Sequence, residues 1–119
     1  MSCFYIVNFK VEINPQKEIF LQEKMYELNF TDQNFYFERD EEQNSTTLCI
    51  EINDYTSYGF ASDAEEFFKS LLHEVAKSSV LIDEECDGEK NTYAIGPDSK
   101  DLDSLYHRDR IEWHLEFLS

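Results

Sequence analysis

The stretch that decides the fold is residues 3–13, which read CFYIVNFKVEI. Every odd position in it is apolar, whereas the even positions change from apolar at Phe4 and Ile6 to polar from Asn8 onward. Because successive side chains of a strand point to opposite faces, this alternation predicts a long β-strand. We expect the strand to be buried on both faces at its start and on one face later.

The segments that follow show helix and strand patterns. Asn14 and Pro15 offer an N-cap and a first helical residue, and Ser62 and Glu65 form a capping box in front of apolar residues at helical spacing. These signals mark the starts of two helices, while alternation and turn residues mark the strands. The predicted elements are helices over 14–29 and 63–77, strands over 34–39, 46–53, 80–83, 91–95 and 111–117, a loop over 54–59 and an acidic turn over 84–90.

This order of elements predicts an α+β fold with an antiparallel sheet. Its first six elements follow the β-α-β-β-α-β order of ferredoxin-like sandwiches, in which two helices cover one face of the sheet. The remaining strands would be additions on the C-terminal side. Only three glycines and two prolines occur, so no linker divides the chain, and we expect residues 1–119 to form one domain. The sheet face opposite the helices would be available for binding.

The most unusual property of the sequence is its formal charge of −16 over 119 residues. The charge is spread over both halves of the chain, with 11 acidic and 4 basic residues in 1–60 and 15 acidic and 6 basic residues in 61–119. Such a field repels nucleic-acid phosphates and anionic membranes but speeds the encounter with a basic protein. We therefore expect a basic protein partner and no direct binding of nucleic acid or membrane. The alternative is that the acidity serves solubility alone.

The cysteines and the N-terminal residues indicate the cellular compartment. The sequence has no basic leader before its first apolar stretch and no run of about 20 apolar residues. Cys3, Cys49 and Cys86 are odd in number and widely spaced, which argues against a disulfide framework. We expect a soluble cytoplasmic protein with free thiols.

The sequence contains no complete catalytic or metal-binding motif. Residues 83–88 resemble the start of an EF-hand calcium loop, but Ala94 occupies the position of the closing glutamate. The histidines are not spaced as metal ligands on one helix face, and the acidic neighbours of Cys86 disfavour its thiolate. We expect no metal, no cofactor and no enzymatic activity.

What remains is a combination of acidic clusters and tyrosines. Carboxylates beside tyrosines suit an interface for Lys and Arg, because the charge steers the approach and the rings supply contact area. The alternative is that the clusters are ordinary solvated turns. The predicted partner-binding residues are Glu38, Asp40, Glu41 and Glu42 in a first cluster, Asp83, Glu84, Glu85, Asp87 and Glu89 in a second, Asp98, Asp101 and Asp103 in a third, and Tyr55, Tyr58, Tyr93 and Tyr106.

These features favour a non-catalytic protein that neutralises a basic partner. In size, acidity and aromatic content the chain is similar to bacterial immunity proteins. This similarity implies an inhibitor of a basic toxin nuclease, or a nucleic-acid mimic that binds a DNA-binding protein. Two alternatives stay open: a ferredoxin-like regulatory or small-molecule-sensing module that dimerises through its sheet, and a small enzyme whose site combines His73, His107 or His114 with carboxylates.

Overall fold

The computed structural model describes residues 2–103, which contain five β-strands. The strands are β1 (Ser2–Ile13), β2 (Phe35–Asp40), β3 (Ser45–Ser57), β4 (Val80–Cys86) and β5 (Glu89–Ile95). The helices are α1 (Glu18–Glu27), α2 (Tyr58–Phe67) and the short α3 (His73–Val75), with a 3-10 turn (Pro15–Lys17) before α1 and a π-helical turn (Phe68–Leu72) between α2 and α3. The strand predicted over 111–117 lies outside the described residues.

The strands form one antiparallel sheet in the order β2-β3-β1-β4-β5. β1 lies at its centre and pairs with β3 along its full length, Ser2–Ile13. On its other side β1 pairs with β4 over Tyr5–Val7. The long alternating stretch is therefore the central strand, and the predicted α+β class with an antiparallel sheet is confirmed.

The odd-numbered face of β1 forms the core side of the sheet. Phe68 of the π-helical turn packs edge-on against Phe9, with ring centres 5.1 Å apart. Leu21 and Met25 of α1 are fully buried in the same cluster. α1 and α2 therefore cover the same face of the sheet, while on the other face Lys10 is exposed, as the alternation predicted. Each fully buried large apolar side chain in this core contributes about 1.5–3 kcal/mol.

The local signals around the first helix and the first hairpin act as predicted. The Asn14 side chain accepts a hydrogen bond from the backbone N–H of Gln16 at 3.0 Å, and Pro15 is the first residue of the 3-10 turn. β2 and β3 form the predicted hairpin, in which Asp40 lies opposite Ser45. These two predictions are confirmed to within a few residues.

The second helix begins earlier than predicted, at Tyr58. Its cap is Ser57, whose Oγ accepts a hydrogen bond from the backbone N–H of Phe60 at 3.0 Å. Ser62 and Glu65, the predicted capping box, lie inside the helix instead. The loop predicted over 54–59 is also wrong, because β3 continues to Ser57 opposite the N-terminal end of β1.

The acidic turn predicted over 84–90 is much shorter than expected. β4 runs to Cys86 and β5 starts at Glu89, so that only Asp87 and Gly88 form the turn. Both residues have positive φ, 52° and 85°, which is the combination that a two-residue type I′ hairpin turn requires. The carboxylates of this segment consequently alternate between the two faces of the sheet.

Candidate functional site

The acidic clusters lie at opposite ends of the sheet. The first cluster is at the β2–β3 turn, beside the C-terminal end of β1. The turn of the second cluster is near the N-terminal end of β1, where the Asp87 N–H donates to the Phe4 carbonyl at 3.1 Å. About ten residues of β1 separate the two ends, which corresponds to roughly 33 Å.

Two exposed tyrosines lie near the turn of the second cluster. Tyr55 is 72% exposed, and its ring lies edge-on to Phe4 with centres 5.0 Å apart. Tyr58 is 45% exposed, and its hydroxyl donates to Asp87 Oδ2 at 2.6 Å. We call this surface the tyrosine end of the sheet. It consists of Phe4, Tyr55, Tyr58, Glu85, Asp87 and Glu89.

Asp87 fixes the geometry of the tyrosine end. Its Oδ1 accepts a hydrogen bond from the backbone N–H of Phe4 at 2.9 Å, while its Oδ2 accepts from Tyr58. The hydrogen bonds from Tyr58 and Phe4 stabilise the charged carboxylate and lower the pKa of Asp87. The same hydrogen bond and the charge of Asp87 raise the pKa of Tyr58 to about 12. Asp87 thus connects β1, α2 and the β4–β5 turn.

Glu84 and Tyr93 lie on the core side of the sheet. Glu84 is only 8% exposed and accepts a hydrogen bond from the Tyr93 hydroxyl. Tyr93 is half-buried, with Lys69 Nζ 4.6 Å from the centre of its ring. Glu84, predicted to contact a partner, is buried because β4 continues through this residue and the alternation turns it inward. By contrast, Asp83 is exposed and accepts a hydrogen bond from the Thr92 hydroxyl at 2.6 Å.

The first cluster is partly neutralised by neighbouring groups. Glu38 Oε1 lies 3.1 Å from Lys10 Nζ, in an ion pair between exposed side chains. The Asp40 carboxylate accepts a hydrogen bond from the backbone N–H of Glu42 at 3.1 Å, within the hairpin turn. Glu41 and Glu42 are exposed. This cluster offers charge at the end of the sheet opposite to Tyr55 and Tyr58.

The third cluster follows β5. The Asp98 N–H donates to Ser79 Oγ at 2.7 Å, and the Asp98 carbonyl accepts from the Asp101 N–H at 3.1 Å. Asp98 and Asp101 are exposed, whereas Asp103 is half-buried. Because β5 ends opposite the start of β4, this cluster lies at the same end of the sheet as the first one. Tyr106, which was predicted beside it, lies outside the described residues.

The carboxylates of the tyrosine end stand apart from the ion pairs of the described chain. Four of the eight Lys and Arg residues in 2–103 form ion pairs with carboxylates, and none of these pairs includes Glu85, Asp87 or Glu89. Lys90 lies opposite Glu85 in the β4–β5 register and offsets part of the negative charge of these three carboxylates. The tyrosine end therefore presents net negative charge beside exposed aromatic rings.

Sequence reasoning did not include two aromatic residues of the sheet face opposite the helices among the candidates. Phe4 lies opposite Tyr55 in the β1–β3 register. Tyr36 is 41% exposed on the same sheet face, and its hydroxyl donates to Glu51 at 3.3 Å. Alternation within their own strands indicates the face of each residue. Their neighbours are set by the register, which the sequence alone does not specify.

The cysteine at the end of β4 is not activated. Hydrogen bonding with Cys3 and burial raise the pKa of Cys86 to about 12, and the charges of Asp87 and Glu89 contribute further. The prediction that acidic neighbours disfavour its thiolate is confirmed, with hydrogen bonding and burial as the larger causes. Cys3, Cys49 and Cys86 are all free thiols.

Other kinds of site receive no support from the described residues. Within 2–103, no group of three or more His, Cys, Asp or Glu side chains is arranged to hold a metal ion. His73 Nδ1 accepts a hydrogen bond from the backbone N–H of Gly96 at 2.9 Å, which gives this histidine a structural contact at the end of β5. None of the helices in the described part of the chain is long and apolar enough to cross a membrane.

Comparison with known proteins adds no relative. No protein-family model matches this chain, and no curated protein or solved structure is significantly similar to it.

Proposed function

We propose that this protein binds a basic protein through the tyrosine end of its sheet and inhibits it without catalysis. The partner we favour is a toxin nuclease, which would make the chain a cytoplasmic immunity protein of the bacterial kind. A nucleic-acid mimic that blocks a DNA-binding protein is the closely related case. The observation that carries the proposal is that Tyr55, 72% exposed, packs against Phe4, while Tyr58, 45% exposed, donates a hydrogen bond to Asp87 in the acidic β4–β5 turn.

The exposed rings are suited to supply contact energy. A tyrosine ring covers a large area with few rotatable bonds, so its burial against a partner costs little conformational entropy. Contacts within the protein already restrict both rings, because Tyr55 packs against Phe4 and Tyr58 donates to Asp87. Restricting side chains before binding lowers the entropy that association has to overcome.

The negative charge of the surface is suited to accelerate association and to select basic partners. A negative surface accelerates the encounter with a positive one, and this effect weakens as salt screens the charges. A nuclease binds the phosphate backbone with Lys and Arg, and carboxylates can occupy the positions of phosphates and neutralise those residues. The half-buried Glu85 and the exposed Glu89 are the carboxylates of the tyrosine end left for this role, because Asp87 is engaged by Phe4 and Tyr58.

We interpret the fold behind this surface as a variant of the ferredoxin-like sandwich. The order β2-β3-β1-β4 supports this interpretation, since β1 lies between β3 and β4 while α1 and α2 follow β1 and β3 along the chain. β5 extends the sheet beyond β4 and departs from the four-stranded pattern. In such an arrangement the face opposite the helices, together with the tyrosine end, is open to a partner.

Affinity capture tests the proposal. The immobilised protein is incubated with a lysate of its source organism at about 0.1 M and about 1 M salt, where the Debye length falls from about 10 Å to about 3 Å. We expect a basic nuclease to be retained at the lower salt concentration and to be released or weakened at the higher one. The isolated nuclease should then lose activity on addition of the protein at equimolar concentration.

A matched control separates specific binding from general charge attraction. A variant with Tyr55→Ala and Tyr58→Ala keeps the net charge but loses the exposed rings of the tyrosine end. We expect it to retain much less of the nuclease than the wild-type protein does. Equal retention by the variant, or capture of no basic protein at either salt concentration, would contradict the proposal.

A further inference from the structure

α2 and the β4–β5 hairpin are joined by polar contacts on the core side of the sheet. Glu65 of α2 accepts a hydrogen bond from Asn91 Nδ2 at 2.8 Å. Lys69 Nζ, in the π-helical turn, lies 3.5 Å from Glu65 and 4.6 Å from the centre of the Tyr93 ring. Asn91 is the direct cross-strand partner of Glu84. The side chain of Glu65 therefore contacts Asn91, the residue directly across from Glu84.

Glu84 is a buried acid in the middle of these contacts. It is 8% exposed, and the hydroxyl of Tyr93 on β5 donates a hydrogen bond to it. From β1 the hydroxyl of Tyr5 also faces it, although this buried hydroxyl makes no hydrogen bond with the described residues in good geometry. Glu65 and Lys69 face Glu84 from the helical side. One cation and one further carboxylate thus surround a group with little access to water.

Burial and the second carboxylate both oppose ionisation of Glu84. Loss of water around the carboxylate is the main reason why the pKa of Glu84 is raised to about 7, and the negative charge and hydrogen bonding of Glu65 raise it further. The hydrogen bond from Tyr93 and the charge of Lys69 act in the opposite direction. The same environment raises the pKa values of Tyr5 and Tyr93, so both hydroxyls stay protonated.

We propose that Glu84 keeps a proton in the folded protein because it is buried and because Glu65 reaches its cross-strand neighbour Asn91, and that this proton makes the attachment of α2 to the β4–β5 hairpin sensitive to pH near neutrality. With the proton on Glu84, only the Glu65 carboxylate is left to be stabilised, and Asn91 and Lys69 both contact it. Without it, the buried Glu84 carboxylate is charged near the half-buried Glu65 carboxylate, with the Lys69 cation beside Glu65. The proposal does not depend on the identity of any partner.

The direction of the pH effect on stability follows from the raised pKa. Glutamate in the unfolded chain has an ordinary pKa of 4.5, and in the folded protein Glu84 has a pKa of about 7. Folding therefore favours the protonated form, and the stabilisation is complete below pH 4.5 and is lost as the pH rises through 7. Between these values this one group increases the unfolding equilibrium constant by up to about tenfold per pH unit.

Two measurements test the proposal. The carboxyl carbon of Glu84, followed by NMR during a pH titration, should change with a midpoint near 7 in the wild-type protein. In Glu65→Gln the midpoint should fall by about half a pH unit or more, because the second negative charge is removed. In Glu85→Gln, whose altered residue lies next to Glu84 on the opposite sheet face, the midpoint should stay unchanged.

Urea unfolding between about pH 5 and about pH 8 supplies the second readout. The ratio of the unfolding constants of wild type and Glu84→Gln should rise by about tenfold or more over this range, since glutamine cannot ionise. The same ratio for Glu85→Gln should stay constant. A Glu84 midpoint in the ordinary range near 4.5, or a midpoint that Glu65→Gln leaves unmoved, overturns the proposal even where Glu84→Gln fails to fold.

Discussion

Replacement of Gly96 by alanine should destabilise this protein more than the same change at either of its other two glycines. Gly96 has a φ of 104°, and a Cβ there would lie 2.4 Å from the carbonyl oxygen of Ser78 and 2.6 Å from Ser79 Cα. Both are backbone atoms, which cannot move aside as a flexible side chain can. The strained φ costs about 1–3 kcal/mol and the displaced backbone about 1–3 kcal/mol more, giving about 2–6 kcal/mol in total.

The two remaining glycines are internal controls. Gly88 has a φ of 85°, but a methyl group at this position would have no atom within 4 Å, so Gly88→Ala should cost only the φ strain of about 1–3 kcal/mol. Gly59 is the second residue of α2, and the nearest atom to a new Cβ is Ser57 Oγ at 3.8 Å. Gly59→Ala should stabilise the protein by about 0.5–1 kcal/mol, because alanine has less backbone freedom to lose on folding.

Urea denaturation followed by far-ultraviolet circular dichroism measures all three variants against the wild type. The expected order of stability is Gly59→Ala highest, then wild type, then Gly88→Ala, with Gly96→Ala lowest. A Gly96→Ala protein within about 1 kcal/mol of the wild type would refute the reasoning, because a displaced backbone costs more than that. It would mean that the end of β5 leaves room for a methyl group beside Ser78 and Ser79.

Two further variants test the N-terminal cap of α2 and the Tyr58–Asp87 hydrogen bond of the tyrosine end. Ser57→Ala should lose about 1 kcal/mol of unfolding free energy in urea, whereas Ser62→Ala, inside the helix, should change by less than about 0.5 kcal/mol; equal losses would place the cap elsewhere. Tyr58→Phe removes a hydrogen bond that lowers the pKa of Asp87. This hydrogen bond stabilises the folded protein fully above the ordinary aspartate pKa of 3.8, and the stabilisation is lost as the pH falls through the lowered pKa. The variant should therefore be less stable than the wild type at neutral pH and equal to it in acid, and a difference that does not change with pH would contradict this.

The parts of the fold that depend on one short segment were predictable from the sequence. The alternation in 3–13 predicted the central strand, and the Asn14 cap predicted the turn into the first helix. The start of the second helix was not predictable in the same way. Ser57 and Ser62 both offer a cap, and the choice depends on β3 continuing to Ser57 against β1, which is a long-range contact.

The candidate site was predictable only in its composition. Tyr55, Tyr58 and the acids of 83–89 were named from the sequence, but the contacts of Tyr55 and Asp87 with Phe4 depend on the register of β1 with β3 and on the position of the Asp87 turn. The burial of Glu84 was missed for a related reason. A run of acidic residues has the composition of a solvated turn, and its alternation becomes visible only when the strand is known to continue.

We propose that the carboxylates of the tyrosine end attract the basic partner. The direct test is the association rate constant of the captured nuclease with two charge-reversed proteins, Glu85→Lys with Glu89→Lys and, at the opposite end of the sheet, Glu41→Lys with Glu42→Lys. Both pairs change the net charge equally. We predict that the first pair slows association by about tenfold or more at low salt and that the second has a much smaller effect. Equal slowing by both pairs, or no slowing by the first, would contradict the claim.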